Sequence, residues 1–499
     1  MPRTADDLVA RDLASLWHPC SQMRDYQSFA PLHVVAAEGC HLRLADGRTL
    51  IDGISSWWCK SLGHGHPHLR AALIEQAKQF EHVILANTTN EPIVRLSERL
   101  LNLANGHPKS TWGDGAPAGG LDGHFGKVFY ADSGSMAVEI ALKMALQAQA
   151  QRGQTRRTHF ASFAHGYHGE TIATLSVGDC GLYAAPYKPL MFPCTKLGDL
   201  PYRTGPDDPR WLDADDAWRT MQQQLAPLAD NLAAIVYEPV LQAAGGMRFY
   251  SPALLNHLRA WADAHGVYLI ADEIASGMGR LGKMLATELA EKGPGTDGRG
   301  PRPENARDAR PYAPAHGPWP SALPHFLCLS KGLTAGFLPL SAVLTTDAVY
   351  ALFEADYLDF KAFLHSNTYT GNALAVAVAN AALDVFDREN VLEHVAVHGP
   401  RLTRGLADLA ADRPCLHNVR GCGKVAAVDL RTAYGTPLPP ERRTGLAVYR
   451  QAIARGALLR HLGDTMYLFP PLNTPGPVID ELLAILAASV DTALSNPDQ

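Results

Sequence analysis

The sequence is short of the features that would tie it to a membrane, a nucleic acid or an oxidising compartment. No apolar run approaches the ~20 residues that a membrane-spanning helix needs. Lys plus Arg number 44 against 50 Asp plus Glu, a net charge of −6, so no basic excess recruits nucleic acid and no block of like charge forms a tail. The 8 cysteines are scattered over 499 residues without one Cys-x-x-Cys pair. That spacing excludes a disulfide framework and predicts reduced thiols. The first residues, Met1 to Asp7, carry acids and lack the apolar core of a signal peptide, so the expectation is a cytoplasmic protein. With 46% hydrophobic and 19% charged residues there is ample material for a core, and the length predicts two to three domains.

Six apolar runs, near residues 127, 159, 233, 267, 326 and 340, read as strands alternating mostly with helices. They are continuously apolar rather than alternating, which predicts a mainly parallel sheet covered on both faces. Ligands of such sheets bind at the carboxyl ends of the strands. The residues there are informative. Ser133-Gly134-Ser135 joins the strand ending at Asp132 to a helix predicted over 136–149, and free N–H groups and the positive dipole end make that junction an anion site. The turn has neither a dinucleotide fingerprint nor a triphosphate loop, so a single phosphate monoester fits it best. Glu238 ends a strand that precedes Gln242-Ala243-Ala244-Gly245-Gly246, and a helix is predicted over 251–265 with Pro252 in its first turn. Asp272-Glu273 ends the next strand; without an upstream phosphate-loop lysine it is not a magnesium pair, and Asp272 suits a buried cationic ring nitrogen. Lys331 follows the run Phe326 to Leu329. A lysine reaching solvent is the plain alternative, but burial disfavours the ammonium, and a neutral amine is what Schiff-base chemistry requires.

Elsewhere the pattern is looser. Val34 to Asp52 reads as short strands with a turn at Asp46-Gly47, followed by Ser55-Ser56-Trp57-Trp58. Two adjacent tryptophans cannot share one face, so one packs an interface or walls a ligand pocket. Gly63-His64-Gly65-His66-Pro67-His68 has no metal-ligand spacing and reads as a loop before a helix. His165-Gly166-Tyr167-His168-Gly169 presents an aromatic ring on a tight loop. Gly/Pro-rich stretches near 105–126 and 289–324 read as insertions, and the chain from 365 onward as a linking helix and a smaller α+β domain. The expected division is 1–68, an N-terminal part of the small domain; 69–364, the large ligand-binding domain; and 365–499, the rest.

Together these residues resemble the fold-type I pyridoxal-phosphate enzymes of the class III aminotransferases, from about Trp17 to Pro477. Trp17-His18-Pro19, Ala37-Glu38-Gly39, Asp52 to Trp58, Ala131 to Ser135, Gly166 to Gly169 and Gln242 to Met247 are similar to the biotin-pathway branch of that class. The resemblance implies a seven-stranded-type sheet in the large domain, a small domain formed by both termini, and pyridoxal 5'-phosphate as cofactor. It implies that Lys331 holds the cofactor aldehyde covalently and carries a proton, that Asp272 pairs with the ring nitrogen, and that Tyr167 stacks near ring and substrate. Gly134 and Ser135 would hold the phosphate with Asn367 and Thr368 of the second subunit of a homodimer, and no metal is called for. Trp57, Tyr167, Lys331, Ser366 and Arg460 would meet substrate, Arg460 taking a carboxylate. The activity implied is conversion of 8-amino-7-oxononanoate to 7,8-diaminononanoate with S-adenosylmethionine as amino donor. Two positions depart from the family: Cys20 stands where a tyrosine is usual, and Ser366-Asn367 where Gly-Pro is usual. The missing aromatic face leaves lysine open as donor, and another ω-amino acid or diamine open as substrate.

Overall fold

The computed structural model describes residues 5–106, 124–198, 200–290 and 322–495. Two compact units are formed: Met1–Pro67 with Val397–Val419 and Lys424–Gln499, and His68–Ala396 with Arg420–Gly423.

The larger unit is built on seven strands: β1 Phe125–Ala131, β2 His159–Phe163, β3 Cys194–Leu197, β4 Leu232–Tyr237, β5 Tyr268–Asp272, β6 Phe326–Leu329 and β7 Ser341–Thr346. Their spatial order is β1-β7-β6-β5-β4-β2-β3. Only β7 runs against its neighbours, antiparallel to both β6 and β1; the other pairs are parallel. The strand near 340 therefore departs from the parallel direction. It follows β6 through a short loop, too short for the crossover that a parallel neighbour requires. β4, β5, β6 and β7 are buried at every position, as their unbroken apolar runs predict.

The helices that matter to the site are α1 Glu91–Ala104, α2 Gly134–Gln151, α3 Leu254–His265 and α4 Ala373–Arg388. α2 lays Val138, Ala141, Leu142 and Ala145 on a core with Phe160, Val236, Ile270 and Val343. Each large side chain so buried contributes roughly 1.5–3 kcal/mol. α3 begins at Leu254, so Pro252 precedes the helix instead of opening it; its last turn closes on Gly266 in the left-handed conformation. α4 groups with the larger unit because Arg99 of α1 donates to the Asn380 carbonyl at 2.8 Å and pairs with Asp384 at 2.9 Å. The expected insertions lie mostly outside the described residues, and β1 already begins at Phe125.

In the smaller unit, Val34–Glu38, His41–Leu44 and Thr49–Asp52 form an antiparallel sheet that Ala457–Leu458 joins in parallel beside Thr49–Asp52. A second sheet is ordered Leu416–Cys422, Val425–Leu430, Thr465–Leu468, Arg460–Leu462. Among the described residues no helix is long and apolar enough to cross a membrane.

Candidate active site

The parallel register sets the carboxyl ends of β4, β5 and β6 side by side. Tyr237 pairs with Ala271, and Asp272 with Cys328, so Glu238, Asp272 and the Ser330-Lys331 turn share one rim. Asp272 is almost fully buried, and His168 pairs with it. Its Oδ2 accepts from His168 Nδ1 at 2.8 Å and its Oδ1 from the Ile274 N–H at 3.1 Å. Because a carboxylate only accepts, Nδ1 is the donor. Nε2 is buried with no hydrogen-bond partner among the described residues. Glu273 points the opposite way along the alternating strand, accepting from Ala286 N at 2.6 Å and from Thr287 N and Oγ1 at 2.8 Å each.

Glu238 bridges two loops: Oε2 accepts from Tyr167 N and Oε1 from Ala243 N, both at 3.0 Å. Burial pushes its carboxyl up to about 8, the Asp272 charge adds to the shift, and the two N–H donors and Lys331 oppose it. Lys331 and Asp272 thus act on one carboxyl and lie in one electrostatic neighbourhood. Lys331 itself stands at φ +41°, where the chain leaves β6 for a 3₁₀ turn. Ser330 Oγ is held by the Leu340 carbonyl at 2.8 Å.

The anion cradle is packed from both sides. Ser133 caps α2 through the Met136 N–H at 3.4 Å, leaving the N–H groups of Gly134 and Ser135 in the first turn. A Cβ on Gly134 would lie 2.9 Å from Ile274 Cδ1, so the Asp272 loop presses on the helix start. A Cβ on Gly169, at φ +122°, would lie 2.4 Å from the Ser135 Cβ, so the Tyr167 loop presses from the other direction. Tyr167 donates its hydroxyl to Glu170 at 3.0 Å. Gly245 approaches the His165 carbonyl, and Arg420 donates to the Met247 and Gly246 carbonyls at 2.8 and 2.6 Å, which fixes the glycine-rich loop behind Tyr167.

A buried carboxylate, a helix N-terminus ringed by close loops and a lysine on the same rim fit a phosphorylated, cationic aromatic aldehyde. These residues suit pyridoxal phosphate. Ser366, Asn367 and Thr368 lie in the turn before α4, where Asn367 Oδ1 meets His365 at 2.9 Å and the Thr368 carbonyl meets His82 at 2.7 Å. Sequence reasoning gave roles to neither Glu238 nor His168. Glu238 stood on the predicted rim as a strand-end carboxylate; His168 was visible only as one letter of the Gly-Tyr-His-Gly loop.

Trp57 and Arg460 belong to the smaller unit. Ser55, Ser56, Trp57 and Trp58 all have positive φ (50°, 44°, 73° and 71°), a left-handed turn made without a single glycine. Left-handed backbone costs roughly 1–2 kcal/mol per residue, so this turn exists only because its surroundings enforce it. Its effect is to separate the two indoles. Trp58 is 6% exposed against Tyr467 and Phe469, while Trp57 is 42% exposed with the Arg460 guanidinium 4.1 Å from its ring centroid. Among the histidines of the 63–68 loop, His64 bonds Asp52 and His68 bonds Asp384. Among the described residues no group of His, Cys, Asp and Glu is gathered that could hold a metal ion.

The class-III aminotransferase family model matches residues 22–295 and 312–490. The adenosylmethionine-8-amino-7-oxononanoate aminotransferase of Helicobacter pylori is 36% identical over 471 residues, 93% of each chain. That of Synechococcus elongatus is 35% identical over 478 residues, 95% of this chain and 98% of its own. The solved structure of the Methanocaldococcus jannaschii enzyme of the same name superposes with a TM-score of 0.82 at 28% identity, covering 98% of this chain and 99% of its own. A PLP-bound amine transaminase from an uncultivated Pseudomonas species superposes with a TM-score of 0.81 at 27% identity, over 96% of this chain and 99% of its own.

Proposed function

The chain belongs to the class-III aminotransferases, pyridoxal-phosphate enzymes, and from that premise we propose that it aminates 8-amino-7-oxononanoate to 7,8-diaminononanoate in biotin synthesis. The observation that carries the substrate reading is Trp57 with Arg460. A half-exposed indole face suits a methylene chain, and a guanidinium suits the carboxylate at its end.

When bound, the cofactor supplies the electron sink through which an amino group leaves the donor and later reaches the ketone. Lys331 would hold the aldehyde and would move the proton at the substrate carbon. Asp272 balances the charge of the ring nitrogen, while His168, donating from Nδ1, fixes the plane of that carboxylate. Gly134 and Ser135 offer N–H groups to the phosphate, with Asn367 and Thr368 supplied by the second subunit of a homodimer. Tyr167 stacks beside the ring, and Ser366 lines the substrate side. The default donor is S-adenosylmethionine. Cys20 is exposed and offers no ring where a base would stack, a contact worth roughly 1–3 kcal/mol, which keeps lysine as the alternative donor. The expected compartment is the cytoplasm.

The test is to incubate purified holoenzyme with 8-amino-7-oxononanoate and either S-adenosylmethionine or lysine, and to look for the diamine by mass spectrometry. No diamine with either donor refutes the substrate. Borohydride reduction is expected to leave a pyridoxyl group on Lys331, and its absence there refutes the site.

A further inference from the structure

The left-handed turn at Ser55–Trp58 is held by a carboxylate to which the transamination reading gives no part. Asp52 is completely buried. It accepts from Ser56 N at 3.0 Å, Ser56 Oγ at 2.7 Å, Ile54 N at 3.3 Å and His64 Nε2 at 2.8 Å. Burial alone would raise this carboxyl, yet the His64 and Ser56 donors hold it below its ordinary range.

His64 comes from a separate stretch whose position is fixed independently. Its N–H donates to the Gly39 carbonyl at 2.7 Å, and its carbonyl accepts from the Gly39 N–H at 2.9 Å. Gly63, at φ +75°, comes so close that a Cβ there would lie 2.7 Å from the Gly39 oxygen. His64 therefore reaches Asp52 from a frame that cannot slide. On the other side, Ser55 Oγ donates to the Phe469 carbonyl at 2.7 Å. The strained turn is thus clamped between two fixed points. The residue that it turns outward is Trp57, the indole facing Arg460.

We propose that Asp52 and His64 are positioning residues for substrate selection: through Ser56 they lock the left-handed turn that sets Trp57 against Arg460, and so govern how tightly a long-chain keto acid is held without touching it. This rests on the reading of Trp57 and Arg460 as the substrate wall. A merely structural pair would lower stability and leave the substrate constants alone.

His64→Leu removes the donor, His64→Gln restores a side-chain N–H of similar reach, and Ser56→Ala deletes one hydrogen bond without stranding a charge. In the holoenzyme, H64L is expected to raise KM for 8-amino-7-oxononanoate about tenfold while kcat and bound cofactor stay within about twofold. Acrylamide quenching of Trp57, read as the difference from W57F in each background, is expected to change with it. H64Q should restore both readouts, and S56A should move both in the same direction by less. Normal KM and normal quenching in S56A and H64L overturn the proposal, as does an H64Q variant as impaired as H64L. Should H64L fail to fold, S56A decides alone. If the wild type makes no diamine with any donor, the substrate assignment falls, while the quenching comparison still decides whether the clamp sets Trp57.

Discussion

Replacing Gly169 by alanine tests the phosphate cradle without altering any group that does chemistry. The new Cβ would lie 2.4 Å from Ser135 Cβ and 2.9 Å from Ser135 Cα, in backbone at φ +122°. Two costs can be separated. Holding a non-glycine residue in such a conformation costs of order 1–3 kcal/mol. Relieving the overlap means pushing the Tyr167 loop and the first turn of α2 apart, about another 1–3 kcal/mol. Gly153 isolates the first cost: it also has positive φ, +76°, but nothing lies within 4 Å of its would-be Cβ. G153A should therefore lose only about 1–2 kcal/mol of stability and none of its hold on the cofactor. In G169A the second cost falls on the N–H groups that face the phosphate. At ~1.4 kcal/mol per tenfold, cofactor affinity should drop roughly 5- to 150-fold. The assay is titration of cofactor-free protein with pyridoxal phosphate, followed by the absorbance of the bound form, beside a denaturant midpoint for each variant. A G169A protein that binds cofactor as tightly as wild type, and is no less stable than G153A, would refute the cradle.

Further outcomes follow from the same geometry. The folded-state pKa of Glu238 is raised to about 8 from 4.5, so the folded protein holds the extra proton between those values and loses stability as pH rises through them. Denaturant unfolding of the cofactor-free protein should show this, and E238Q should remove up to ~1.4 kcal/mol per pH unit of the slope. Glu273, raised to about 7 by burial, keeps its own share of the same sign, so the slope should flatten without vanishing. R420M strips the buried Met247 carbonyl and the half-buried Gly246 carbonyl of this donor, and a loss of about 2–4 kcal/mol is expected in the denaturant midpoint. R460Q should raise KM for the keto acid about tenfold or more and leave a ketone without a carboxylate unaffected. Equal effects on both ketones would remove Arg460 from carboxylate recognition.

The rim of the sheet was legible because burial writes itself locally: Leu232 to Tyr237, Tyr268 to Asp272 and Phe326 to Leu329 are apolar at nearly every position and end in polar residues. Cys194–Leu197 was missed, being a short edge strand with a lysine in it. The reversed direction of β7 leaves no periodic trace, since a strand buried on both faces reads alike in either direction. The left-handed turn was equally hidden. Its sequence contains no glycine, and what enforces it is Asp52, whose bond to His64 spans 12 positions. The exposure of one tryptophan could be anticipated from their adjacency, whereas only the family resemblance pointed to Trp57 as the one.

The 2.7 Å bond between Ser55 Oγ and the Phe469 carbonyl joins residues 414 positions apart. On a ribosome adding ~5–20 residues per second, Ser55 waits roughly 20–80 s for that partner. Almost all of the larger unit, His68 to Ala396, is synthesised in the interval and can close around its sheet first. The tryptophan turn thus cannot acquire its Phe469 anchor until most of the chain has been made. The residues of the sheet rim are therefore in hand well before the turn that orients Trp57 can be anchored.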